Sequence, residues 1–126
     1  MVFKNKIKRI LIIEDDKEMA DLYQDMFKER MNEYDIVIEN NAESALARLD
    51  NESFDLIILD IIMEPMTGDS FYIFARLDKK IMIPVLVVSV LSPDTLKNLE
   101  KIDNISFLQK PITEEQLFEA IDTILQ

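Results

Sequence analysis

The sequence predicts one α/β domain built on a parallel sheet with helices on both faces. Three observations predict it. Five short runs, at residues 10–13, 36–38, 56–59, 84–88 and 105–108, are too short for helices and are apolar throughout except for Ser106 in the last. Between and after these runs, apolar residues recur every three or four positions, the spacing of an amphipathic helix. Strict alternation of the two patterns requires crossovers, and right-handed crossovers place helices on both faces of a single sheet. At 126 residues the chain is long enough for one core and too short for two domains.

Each element has its own signal. Ile10-Leu11-Ile12-Ile13 is a strand that runs into Glu14-Asp15-Asp16. Asp16 is the expected N-cap of a helix carrying Met19, Leu22, Tyr23, Met26, Phe27 and then Arg30 or Met31 along one side. Residues 36–38, flanked by Asp35 and Glu39, read as an edge strand, and Asn41 caps a small helix with Ala42, Ala45, Leu46 and Leu49 on one face. Leu56-Ile57-Ile58-Leu59 has no polar side, so it is a strand buried on both faces, and it ends at Asp60. Gly68, read as the left-handed residue of a turn, opens a helix whose buried side is Phe71, Ile73 or Phe74, Ala75 and Leu77. The strand after Pro84 releases the chain at Ser89. Ser92-Pro93 then form an N-cap and first-turn pair for a helix through Leu96, Leu99 and Ile102. The last strand ends in Gln109-Lys110-Pro111. Thr113-Glu114-Glu115-Gln116 is a capping box, followed by an inward stripe of Leu117, Ala120, Ile121, Ile124 and Leu125. Met19, Met26, Met31, Met63, Met66 and Met82 read as gap fillers and loop anchors rather than a binding surface.

Composition excludes several chemistries. A formal net charge of -11 argues against nucleic acid as a direct partner, because phosphate backbones are bound by clustered Lys and Arg. The chain has no cysteine and no histidine, which removes disulfides, thiol nucleophiles, the usual zinc sets and Ser/His triads. The basic residues before Ile10 precede only a four-residue apolar run, so neither a signal peptide nor a membrane span is expected and a cytoplasmic location is the default.

If all strands run parallel, their carboxyl ends bring Glu14, Asp15, Asp60, Ser89 and Lys110 to one edge of the sheet, where open α/β sheets bind ligands. Three carboxylates packed together call for a cation. Hard oxygen ligands without His or Cys select Mg²⁺ or a similar ion, which keeps waters and takes phosphate oxygens to complete its octahedron. Lys110 and Ser89 add a positive charge and a hydroxyl donor suited to the oxygens of a transferring phosphoryl group. A carboxylate is then the candidate covalent acceptor.

These residues carry a resemblance. Glu14-Asp15, Asp60 followed by Met63 and Gly68, Ser89, and Lys110-Pro111 resemble, in order and spacing over nearly the whole chain, the receiver domain of two-component response regulators. The resemblance implies a flavodoxin-like fold with strand order 2-1-3-4-5 and five helices, residues 1–126 forming the receiver domain with no output domain in this chain. It implies Asp60 as phosphoacceptor. Mg²⁺ would be bound by Asp15, Asp60 and the Ile62 backbone carbonyl, with Glu14 acting through water. Lys110 would pair with Asp60 at rest and with the phosphoryl group afterwards; Ser89 and Phe107 would be the switch pair. The implied donor is a sensor histidine kinase or phosphotransfer protein. The implied output surface is helix four, strand five and helix five, read by a downstream protein or output domain, in a monomer or phosphorylation-dependent dimer. The domain would catalyse its own phosphorylation and slow hydrolysis rather than turn over a conventional substrate.

Departures from the family pattern are informative. Glu64 precedes Pro65 where Pro usually follows Met63 directly, so a different course of this loop is expected, and Val90 stands where Ala or Gly is common, so a narrower phosphoryl pocket is expected. Ile62 and Leu91 occupy the positions that flank the attacking water and are both apolar, which implies a long-lived acyl phosphate. Two other readings compete: a phosphate-independent interaction module with this fold, and a small Mg²⁺-dependent phosphohydrolase. The latter usually carries a second acid two residues after its nucleophile, where this chain has Ile62.

Overall fold

The computed structural model describes residues 6–101 and 104–126. The elements in order are β1 (Lys8–Ile13), α1 (Lys17–Phe27), β2 (Tyr34–Glu39), α2 (Ala42–Asn51), β3 (Leu56–Leu59), α3 (Gly68–Leu77), β4 (Val85–Ser89), a 3₁₀ segment (Pro93–Lys101), β5 (Ile105–Gln109) and α4 (Glu114–Ile124). All four strand pairings are parallel, in the order β2-β1-β3-β4-β5. The fold is therefore the flavodoxin-like arrangement that the resemblance implied.

The period-2 alternation of strand side chains divides the core into two layers. Leu11, Ile13, Ile57, Leu59, Val85 and Val87 face α2, α3 and the 3₁₀ segment, meeting Ala45, Phe71, Ala75, Leu96 and Leu99. Ile10, Ile12, Leu56, Ile58, Leu86 and Val88 face α1 and α4, meeting Tyr23, Phe27, Leu117 and Ile121. The helix starts follow their caps. The Asp16 side chain accepts from Glu18 N at 3.2 Å, Asn41 accepts from Ser44 N at 2.7 Å, and Thr113 and Gln116 exchange both bonds of a capping box.

Several local expectations change. The fourth crossover helix is a 3₁₀ segment, kinked at Leu96 (φ -104°, ψ 17°). At three residues per turn Leu96 and Leu99 still share a face, and both are buried. Ile102 lies outside the described residues. Helix α1 stops at Phe27 and tightens into one 3₁₀ turn, Lys28–Arg30, leaving Met31 exposed while the Arg30 guanidinium lies 4.2 Å from the Phe118 ring centroid. On α3 the buried side includes Tyr72, whereas Ile73 and Leu77 are exposed. Leu22 is also exposed, and Met31 and Met82 are the two methionines of the expected fillers that pack on nothing extensive.

Candidate phosphoacceptor site

The parallel ladder continues one residue beyond three strands, and each of those residues belongs to the site. Glu14 N donates to Glu39 O at 3.0 Å, Asp60 N to Ile13 O at 3.2 Å, and Lys110 N to Ser89 O at 2.7 Å. Sheet hydrogen bonding thus fixes the backbone beneath the acids and the lysine before any side chain interacts.

Gly68 shapes the loop that follows Asp60. Its N–H donates to Ile61 O at 2.8 Å, and a Cβ at this position would meet the Asp60 carbonyl and lie 2.7 Å from Ile61 Cα. Among the described residues no glycine has positive φ, so Gly68 is required by close backbone approach and not by a left-handed turn. Met63 is buried and Met66 packs against the core, leaving Glu64 and Pro65 exposed between two anchors. The Glu64–Pro65 and Lys110–Pro111 peptides are both cis.

Lys110 Nζ lies 2.8 Å from Glu14 Oε1 and 3.2 Å from Asp60 Oδ2, bridging two carboxylates that are 2% and 7% exposed. Asp60 Oδ1 accepts from Ile61 N at 2.7 Å and more weakly from Ile62 N at 3.4 Å. Asp15 is exposed and makes no ion pair among the described residues, yet carboxylate oxygens of Glu14, Asp15 and Asp60 lie within 4.8 Å of one another. Burial, reinforced by the charge of Asp60, pushes Glu14 up to about 7 against the opposing pull of Lys110. For Lys110 burial acts downward, and the hydrogen bond and charge of Glu14, together with Asp60, more than reverse it. Burial, then the charges of Glu14 and Asp60, also raise the Tyr23 phenol well above its ordinary range.

The remaining residues surround this cluster. Ser89 is fully buried, and its Oγ accepts from Leu91 N at 3.3 Å. Phe107 is half-buried and packs against the α2/α3 layer. Ile62 and Val90 are 54% and 56% exposed, so both apolar groups stand at the surface of the cleft. Sequence reasoning passed over Gln109, whose Nε2 donates to Val90 O at 3.1 Å. Its only sequence signal was a long amide at the strand end, immediately before the lysine.

The donor set fits a hard divalent cation. It offers three carboxylates and no nitrogen or sulfur ligand, with one lysine offsetting part of the negative charge. A sheet of order 2-1-3-4-5 with an acid and lysine cleft at its switch point places the chain in the doubly wound, flavodoxin-like class. Within that class the chain belongs to the response regulator receiver domains, whose family description matches residues 10–122.

Relatives agree. The transcriptional regulatory protein FlgR of Helicobacter pylori is 34% identical over 113 residues, covering 90% of this chain and 28% of the relative. The nisin biosynthesis regulatory protein NisR of Lactococcus lactis is 29% identical over 119 residues, covering 92% of this chain and 49% of the relative. The chain thus spans about half the length of this regulator, or less for FlgR. Among solved structures, a signal receiver domain from Vibrio parahaemolyticus superposes with TM-score 0.85 at 26% identity, over 95% of this chain and 91% of that one. A chemotaxis response regulator of Vibrio cholerae gives TM-score 0.85 at 22% identity over 95% and 100%, a likeness of fold.

Proposed function

We propose that this chain is a phosphorylation-controlled switch in which Asp60 accepts a phosphoryl group from a histidine kinase or phosphotransfer protein. The observation that carries the reading is the buried Asp60 carboxylate, with Lys110 Nζ 3.2 Å away and two further acids clustered beside it, in a chain of the receiver family. An Asp60 oxygen attacks phosphorus in line with the donor imidazole. The new P–O bond forms as the P–N bond breaks, and the imidazole leaves with the bonding electrons. Lys110, already beside Asp60, follows the charge onto the phosphoryl oxygens, and Ser89 donates to one of them. Asp15, Asp60 and the Ile62 carbonyl would hold Mg²⁺ directly and Glu14 through water; when bound, the ion supplies charge neutralisation to the phosphoryl oxygens. Hydrolysis returns inorganic phosphate and the free carboxylate.

The output is a shift in the surface formed by the 3₁₀ segment, β5 and α4, read by a downstream protein or output domain. A groove of about 390 Å³ on the β5–α4 part of this surface, lined by Phe107, Gln116 and Ala120 among others, supports that assignment. Residues 1–126 act as the receiver unit, as a monomer or a phosphorylation-dependent dimer. The cytoplasm is its place of action, where a kinase draws on ATP. No described helix is long and apolar enough to cross a membrane.

The test is intact mass after incubation with phosphoramidate, with and without Mg²⁺, on wild type and Asp60→Asn. One added phosphoryl group that needs Mg²⁺ and disappears in the variant is the expected result. No adduct under any condition would refute the reading in favour of a phosphate-independent module.

A further inference from the structure

We propose, resting on the phosphoacceptor reading of Asp60, that Gln109 is a positioning residue whose side chain latches the loop after β4 in its resting shape, so that this latch opens when Ser89 engages a phosphoryl group. Three hydrogen bonds of different kinds meet at this loop. Lys110 N donates to Ser89 O at 2.7 Å, Leu91 N to Ser89 Oγ at 3.3 Å, and Gln109 Nε2 to Val90 O at 3.1 Å. The first extends the ladder and fixes the end of β4. The second folds the chain back over the Ser89 hydroxyl. The third ties the peptide between them to the neighbouring strand.

Ser89 is fully buried and its hydroxyl oxygen is held by the Leu91 amide, so a move toward a phosphoryl oxygen strains or breaks that bond. The Leu91 N–H and the Val90 carbonyl belong to one peptide unit, so as the amide follows the moving hydroxyl that peptide turns with it. The Val90 carbonyl is the atom that Gln109 holds. Ser89 and Gln109 are register partners in the β4–β5 pair, so the amide reaches across to the next residue of the loop without leaving its own strand end. Gln109 lies two residues after Phe107 and shares its face of β5, the face on which Leu96 and Leu99 are buried. Its other neighbour, Lys110, reaches Asp60. One strand end therefore carries both the ammonium that meets the acceptor and the amide that restrains the loop. Beyond Leu91 the chain enters the 3₁₀ segment within two residues, so opening the latch loosens the lead into the proposed output surface. Gln109 is exposed, and a neutral hydrogen bond there biases an equilibrium by about two- to ten-fold rather than blocking it.

The test compares wild type with Gln109→Ala and Gln109→Glu. Glutamate keeps the length of the side chain but has no donor for the Val90 carbonyl. Each protein is titrated with beryllofluoride in saturating Mg²⁺, as a phosphoryl mimic that does not transfer, and separately with Mg²⁺ alone. Both variants are expected to bind beryllofluoride about two- to ten-fold more tightly than wild type with unchanged affinity for Mg²⁺ alone. A purely structural role would lower the melting temperature and leave that ratio at one. Unchanged beryllofluoride affinity in both variants, or tightening in Gln109→Ala alone, overturns the latch. Failure of wild type itself to bind beryllofluoride with Mg²⁺ overturns the phosphoacceptor reading, and the latch with it.

Discussion

Glu14 illustrates how a single buried acid couples stability to the site. Its carboxyl titrates near 4.5 when exposed and is pushed up to about 7 in the folded chain, so the native state binds the proton more tightly than the unfolded one. Stability from this group is present below pH 4.5 and falls as pH rises through 7, in protein freed of divalent ions. Glu14→Gln removes the titration, so its melting temperature in EDTA is expected to change less than wild type between pH 5 and 7.5. Parallel pH profiles by circular dichroism would expose the opposite outcome. Gly68 is a second residue-scale test. A Cβ there meets the Asp60 backbone, so Gly68→Ala is expected to cost about 1–3 kcal/mol in urea unfolding and to slow phosphorylation of Asp60. The acids, the lysine and the hydroxyl were legible in the sequence because each lies within two residues of the end of a strand-like run. The reason for Gly68 was not, because a turn with positive φ and a close backbone contact both select glycine. Ile62, 54% exposed two residues after the proposed acceptor Asp60, offers no hydrogen bond to an attacking water. Ile62→Asn is accordingly expected to shorten the acyl phosphate lifetime by roughly ten-fold, an effect of about 1.4 kcal/mol on the barrier. Timing loss of the added mass decides it, and an equal lifetime would contradict the explanation.

At the scale of elements, capped helices were read well and faces without periodicity were not. Asp16, Asn41 and Thr113 each cap where their side chains and spacing indicated. Thr113→Ala is expected to cost about 1 kcal/mol by chemical denaturation, with the phosphoryl chemistry intact. Helix α3 carries Phe71, Tyr72, Ile73, Phe74 and Leu77, apolar on nearly every side, so its pattern selects no unique buried face. Tertiary packing then chose Phe71 and Tyr72 and left Leu77 exposed. The 3₁₀ segment escaped for a related reason. A spacing of three between Leu96 and Leu99 satisfies both α and 3₁₀ geometry, and only the backbone at Leu96 separates them. On α1, Leu22 is exposed whereas Tyr23 is fully buried among both strands and helices. Leu22→Ala is expected to change stability by less than about 0.5 kcal/mol and Tyr23→Ala to cost about 3 kcal/mol or more, measured by urea unfolding.

For the whole molecule, the two-layer core explains why the architecture was readable from one sequence. β1, β3 and β4 are apolar on both faces and fix a central parallel sheet, while the more polar β2 and the half-buried β5 fall at its edges. The strand order was not in the periodicity and entered only through the resemblance of the site residues. That order brings β1 and β3 side by side, and so sets Glu14, Asp15 and Asp60 together beneath Lys110. The proposed switch stands or falls with Asp60 as the residue that carries the phosphoryl group. The most direct measurement is borohydride reduction of the phosphorylated protein, which converts an aspartyl phosphate to homoserine, followed by peptide mass mapping. Homoserine at position 60, formed only with Mg²⁺ and a phosphodonor, is the predicted result. Homoserine at position 15 instead, or unmodified Asp60 in protein that has gained a phosphoryl group, would contradict it.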